Sequence, residues 1–180
     1  MTTPAILRGD LGNLNRLASA DLAALWRQVT TAAQARQALN DILPALLQTY
    51  GAAAATLAAD WYDEARAKAD IRGRFTAIPV EISDAGGQAL AGWAAATATD
   101  VSTMQALVAG GVQRRIANFA RNTVMGSSVA DPRARGWKRT GNGDCDFCQM
   151  LIGRGAVYSE RTADFLSHDN CQCGAAPAWT

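Results

Sequence analysis

The chain has 180 residues, 49% of them hydrophobic and 18% charged, with a net charge of +1. That length and apolar content suffice for a globular protein with a buried core and exclude an intrinsically disordered chain. No apolar segment follows a basic start before Asn15, so no secretory leader is expected. Nor does a run of about 18 strongly apolar residues predict a membrane span. A reducing compartment is therefore the expected setting, where clustered thiols bind metal more often than they pair as disulfides.

Residues Met1 to Leu17 mix Pro, Gly and Asn with little periodicity and read as an ordered arm or a loose terminus. Ser19, followed by Asp21, is a candidate N-cap for a short helix through Leu25, Trp26 and Val29. A second helical pattern begins near Thr31 and meets Pro44, which either starts a new helix around Asp41 or kinks a long one. Beyond it, Leu43, Leu47, Tyr50, Ala54, Leu57 and Trp61 form one apolar stripe ending near Ala69. Phe75 to Ile82, with Pro79 inside it, reads as extended, and Asp84 to Gly87 as a turn. A helix with Leu90, Trp93 and Ala94 facing inward follows. The longest helix, capped by Asp100 or Ser102, carries Met104, Val108, Val112, Ile116 and Phe119 on one face and fades near Ser127. Gly110-Gly111 inside it marks a tight crossing or a bend. Trp26, Trp61 and Trp93 lie on apolar stripes and are expected in the core, whereas Trp137 and Trp179 flank the tail and could pack on it.

Basic charge is uneven. Arg114, Arg115, Arg121, Arg133, Arg135, Lys138 and Arg139 fall in one stretch with Asp131 as its only acid. This stretch reads either as a phosphate-contacting surface, since clustered cations release condensed counterions from nucleic acid, or as a solvated helix end and linker.

The tail holds all four cysteines and the only histidine. Cys145-x-x-Cys148 and His168-x-x-Cys171-x-Cys173 have the spacing of two ligand knuckles closing on one ion, and zinc takes four such ligands in a tetrahedron. Five candidates compete for four positions, and spacing leaves Cys171 and Cys173 open as the fourth. Between the knuckles, Met150 to Ile152 and Ala156 to Tyr158 read as strands of a hairpin turning at Gly153 to Gly155, and Ser159 to Leu166 as one or two helical turns. A module of about 35 residues is too small to be held by apolar burial alone, so the metal would be its core. A catalytic zinc needs an open position and usually a general base. Four or five soft ligands leave no such position, and the single histidine cannot serve as both ligand and base. The residues therefore predict no enzyme, no catalytic group and no small-molecule substrate.

Cys145-Asp-Phe-Cys148-Gln-Met-Leu, Arg154-Gly-Ala-Val-Tyr158 and His168-Asp-Asn-Cys171-Gln-Cys173, with Pro177 close behind, resemble in that order the MuF-like head-morphogenesis proteins, minor capsid proteins of tailed phages. Trp61-Tyr-Asp-Glu-Ala-Arg66 and Phe75 extend the likeness upstream. The resemblance implies a virion component made in the bacterial cytoplasm, sited inside the capsid near the portal. Its implied partners are portal protein, major capsid protein and packaged double-stranded DNA, with no membrane involved. The expected fold is mainly α, with a helical body over residues 1–130, a basic linker over 131–143 and a small zinc-stabilised α+β module over 144–180. A nucleic-acid-binding regulator built on a zinc ribbon is the alternative.

Overall fold

The computed structural model describes residues 2–142, 145–159 and 164–179. Four helices come first: α1 (Pro4–Trp26), α2 (Ala32–Lys68), α3 (Gly87–Thr97) and α4 (Val101–Ala130). They are followed by β1 (Ala134–Thr140), the short α5 (Asp146–Gly153) and β2 (Gly174–Trp179). The chain is thus mainly helical, with a two-stranded antiparallel sheet at its C-terminal end.

The N-terminal segment is not an arm. Pro4 stands at the first helical position, where its missing N–H costs nothing, and α1 runs unbroken past Ser19, which is therefore not a cap. Leu7, Leu11, Ala18, Leu22 and Leu25 form its buried stripe. Gly9 and Gly12 hide this stripe in the sequence, because the helix draws its stability from packing rather than from propensity.

α2 opens with a capping box. The Gln34 amide donates to Thr31 Oγ1 at 3.3 Å, while the Thr31 amide donates to Gln34 Oε1 at 3.2 Å. It then passes through Pro44 as one helix. The start of α3 packs against that point, and a Cβ added to Gly87 would lie 2.6 Å from the Pro44 nitrogen. Contrary to the sequence expectation, α2 contains an 18-residue window of mean hydropathy 1.3, apolar and long enough to cross a membrane. Its most apolar stripe, from Ala35 and Leu39 to Tyr62 and Ala65, is however the buried centre of the bundle, facing α1, α3 and α4.

Residues 70–86 cross the bundle without regular structure. They are fastened where Asp63 accepts from the Ala77 amide at 2.9 Å and Thr123 from the Val80 amide at 3.0 Å. Leu90 and Ala94 of α3 point inward, but Trp93 is 46% exposed and does not belong to the core. Asp100 caps α4, accepting from the Thr103 amide at 2.7 Å. The glycine pair in α4 is a tight crossing: a Cβ on Gly111 would meet Leu90 at 2.4 Å, and one on Gly110 would meet Asp169 at 3.2 Å.

Residues 134–140, expected within a linker, instead form β1 and pair with β2 in the register Lys138 with Ala176 and Arg139 with Ala175. The strand escapes a period-2 reading because its buried residues are Trp137 and Arg139 rather than aliphatics, with Arg135 and Lys138 exposed. Gly136 has φ of +127°, and a Cβ there would lie 2.1 Å from the Tyr158 carbonyl oxygen, so only glycine fits. That close approach lets the Trp137 amide donate to Tyr158 O at 2.8 Å. The sheet is tied to the body by Asp131, buried at the end of α4. Its carboxylate accepts from Arg66 Nε at 2.9 Å and from Tyr62 and Trp179, each at 3.2 Å.

A candidate metal centre

Met150 to Ile152 is not a strand. Residues 146–153 form helix α5, with Cys145 as its N-cap. The Cys148 amide donates to Cys145 Sγ at 3.4 Å, and the one-turn offset brings both thiols to the same side. The predicted helical return over 159–166 lies partly outside the described residues. Its described end, residues 164–166, is not helical. The second knuckle is a turn, closed by the Cys171 amide donating to His168 O at 3.2 Å, with Asn170 at φ of 62°. It leads directly into β2.

The two knuckles converge. Cys145 Sγ lies 3.5 Å and Cys148 Sγ 3.8 Å from His168 Nε2, and Cys148 and Cys171 Sγ are 4.0 Å apart. A tetrahedral ion with bonds of about 2.0–2.3 Å sets its ligand atoms about 3.5–3.8 Å apart. These three separations are near that range, but among the described residues no four ligand atoms lie within 4.8 Å of one another, so a fourth ligand has to move inward to complete a tetrahedron. His168 Nδ1 lies 2.8 Å from the Asp169 carbonyl oxygen, which holds the proton on Nδ1 and leaves Nε2 free to ligate. Two trios share Cys148: Cys145, Cys148 and His168, and Cys148, Cys171 and Cys173, with the ligand atoms within 4.8 Å of one another in each. All four cysteines are free thiols. Together with His168 they form a cluster that could hold a metal ion.

The basic stretch divides around this cluster. Arg121 and Arg139 are each 3% exposed and do not form a phosphate-contacting surface. Arg121 donates through Nε to Cys173 O at 2.9 Å, through Nη2 to Cys171 O at 2.8 Å and through Nη1 to Asn118 Oδ1 at 2.7 Å. Arg139 Nη2 donates to the Phe165 and Leu166 carbonyls, and its Nη1 lies 4.0 Å from Cys148 Sγ. Both guanidiniums lie against the ring of Phe165, with centroid distances of 4.7 Å and 3.9 Å. Phe165 in turn stacks on the fully buried Trp137, which stacks on Tyr158 at 4.3 Å.

No carboxylate accepts a hydrogen bond from Arg121 or Arg139 among the described residues. Among the described residues, the groups beside them that can become anionic are the cysteine thiols, which metal binding would fix as thiolates. A buried charge without a counter-charge is costly, so an anionic metal–thiolate centre is the species these arginines suit. The thiols divide: Cys145 and Cys171 are lowered, while burial raises Cys148 and Cys173. Cys145 is held below the usual thiol range by the Cys148 amide. Cys171 is lowered despite its burial, because the Cys173 amide and the Arg121 guanidinium outweigh desolvation. Burial pushes Cys148 up, and the Asp169 carbonyl together with Cys145 raises His168.

Of the other basic residues, Arg114 pairs with Asp169 at 3.2 Å, clamping the second knuckle onto α4. Arg115 is half-buried and donates to Gly111 O at 3.3 Å. Arg133, Arg135 and Lys138 are exposed. Arg121 and Arg139 carried a readable signal: one lies on the apolar face of α4 between Ile116 and Val124, the other two residues after Trp137 on the buried side of β1. Gly141 carried none, although a Cβ there would lie 2.8 Å from Cys173 Sγ.

The sequence profile of the VG15 proteins matches residues 5–180, covering the helices and the cysteine cluster together. The chain belongs to the VG15 protein family. This family of viral gene 15 proteins is associated with phages. No curated protein and no solved structure matches the chain.

Proposed function

We propose that this VG15-family protein is a structural minor head protein of a tailed phage. It would associate with the portal or the inner capsid surface and assist head assembly or DNA packaging. The observation that carries this reading is the family match over residues 5–180, which supports a phage protein; the finer role comes from the resemblance of the motif order to that of MuF-like proteins. In this reading the cluster holds zinc in a purely structural role, through Cys145, Cys148, His168 and Cys171. The turn that joins Cys171 to His168 favours Cys171 as the fourth ligand over Cys173. Four soft ligands leave no open coordination position, which supports a role other than catalysis. The site is built into the sheet and α4, so the ion would fix the tail onto the helices.

Quantitative mass spectrometry of purified phage heads tests the assignment. The protein is expected at a few copies per particle, and its absence from intact heads would overturn the reading. A gel shift with duplex DNA at low salt separates the alternative: a salt-sensitive shift carried by Arg133, Arg135 and Lys138 would point to a nucleic-acid-binding regulator.

A further inference from the structure

A cleft of about 380 Å³ lies between α1, α4 and the second knuckle, within the size range of ligand sites, about 300–1,000 Å³. Its wall is unusual in charge. Arg8 and Arg16 reach it from α1 and Arg121 from α4, and no aspartate or glutamate lines it. The other 14 lysines and arginines of the chain are outnumbered by its 16 acids, so three guanidiniums without a carboxylate form a local excess of positive charge. Gln113 and Gln172 add amides that can both donate and accept. Asn15 contributes something a fully ionised oxyanion cannot satisfy: its Oδ1 is buried in this wall with no hydrogen-bond partner among the described residues. A buried acceptor left in that state is costly and calls for an N–H donor.

We propose that this cleft binds a carboxylate-bearing peptide segment of a partner protein. Its acidic side chains would sit against Arg8, Arg16 and the spare N–H groups of Arg121, and one of its backbone amides would donate to Asn15 Oδ1. A peptide supplies both halves of that chemistry, with several carboxylates spaced along one chain beside its N–H groups, whereas sulfate supplies only the anion and inorganic phosphate only a single anionic centre. Arg121 also donates to the carbonyls of Cys171 and Cys173, so the cleft and the cysteine cluster share one rigid wall. The proposal rests on the cleft itself and stands whether the cluster binds metal or not.

The test uses the full chain as purified and a fluorescein-labelled Gly-Ser-Asp-Glu-Asp-Glu peptide at low salt, with Gly-Ser-Asn-Gln-Asn-Gln as the neutral control. Saturable anisotropy is expected with the acidic peptide only. The double variant R8Q/R16Q should lose at least tenfold in affinity at unchanged melting temperature. N15L should weaken peptide binding, and in wild type the Asn15 side-chain resonances should move on titration with peptide. Absence of saturable binding to the wild type, or undiminished binding by R8Q/R16Q, would overturn the proposal. So would a result in which inorganic phosphate moves the Asn15 resonances and the peptide does not, since the site would then be a phosphate site.

Discussion

Replacing Arg121 by Met removes a buried guanidinium of similar length while leaving the surrounding shape nearly intact. Two carbonyl oxygens, those of Cys171 and Cys173, then lose donors at 2.8 Å and 2.9 Å in a region with little access to water. An unsatisfied buried acceptor costs about 1–3 kcal/mol, and removing one partner from a buried charge arrangement about 3–5 kcal/mol. Both routes place the destabilisation of R121M at about 3–5 kcal/mol. If the thiolate centre is the counter-charge of Arg121, metal affinity falls as well, by more than tenfold. R121K keeps the charge but cannot serve both carbonyls from one fork, so it should recover part of the metal affinity and less of the stability. Urea unfolding monitored by tryptophan fluorescence, with and without chelator, separates the two contributions, because the electrostatic part should vanish once the metal is stripped. A change within about 0.5 kcal/mol, the size expected of an ordinary surface substitution, together with unaltered metal affinity would refute the reasoning.

Other consequences follow from the same contacts. C145S, C148S, H168A and C171S should each abolish stoichiometric metal binding, whereas C173S should retain it, as measured by metal analysis after gel filtration; the reverse order for C171S and C173S would move the fourth ligand. G136A should destabilise by about 2–4 kcal/mol in thermal melts, combining a left-handed φ with a Cβ aimed at the Tyr158 carbonyl. Burial alone would raise the Asp131 carboxyl, but hydrogen bonds from Arg66, the Arg133 amide and Trp179 outweigh it and hold it below its ordinary value of 3.8. The stability it contributes is therefore fully present above about pH 4 and is lost as pH falls through its lower folded value. In chelator-treated protein, D131N should flatten the acid limb of the stability curve below about pH 4; an unchanged limb would remove Asp131 from that role.

The apolar period of α4 and the stripe of α2 beyond Pro44 were legible in the sequence because leucine, valine and alanine recur there at helical spacing over many turns. The convergence of the cysteines and His168 was legible because both knuckles carry their residues at fixed short intervals. What misled was charge and glycine. Arg121 and Arg139 look like part of a basic surface until the fold turns both inward onto the cluster, and their burial is set by partners about 50 and 26 residues away in sequence. α1 was hidden by Gly9 and Gly12, and β1 by a tryptophan and an arginine in the positions where aliphatic residues signal a strand. α5 looked like a strand because the four residues after Cys148 are apolar or amide side chains with no helical period of their own. Cys145 as its cap is the feature that decides it.

A bound ion is expected to lock the tail onto the helices. Elemental analysis of the protein purified under reducing conditions, without added metal or chelator, tests it most directly. About one equivalent of zinc per chain is expected, lost in both H168A and C171S. A wild-type protein that is folded and free of metal would contradict it.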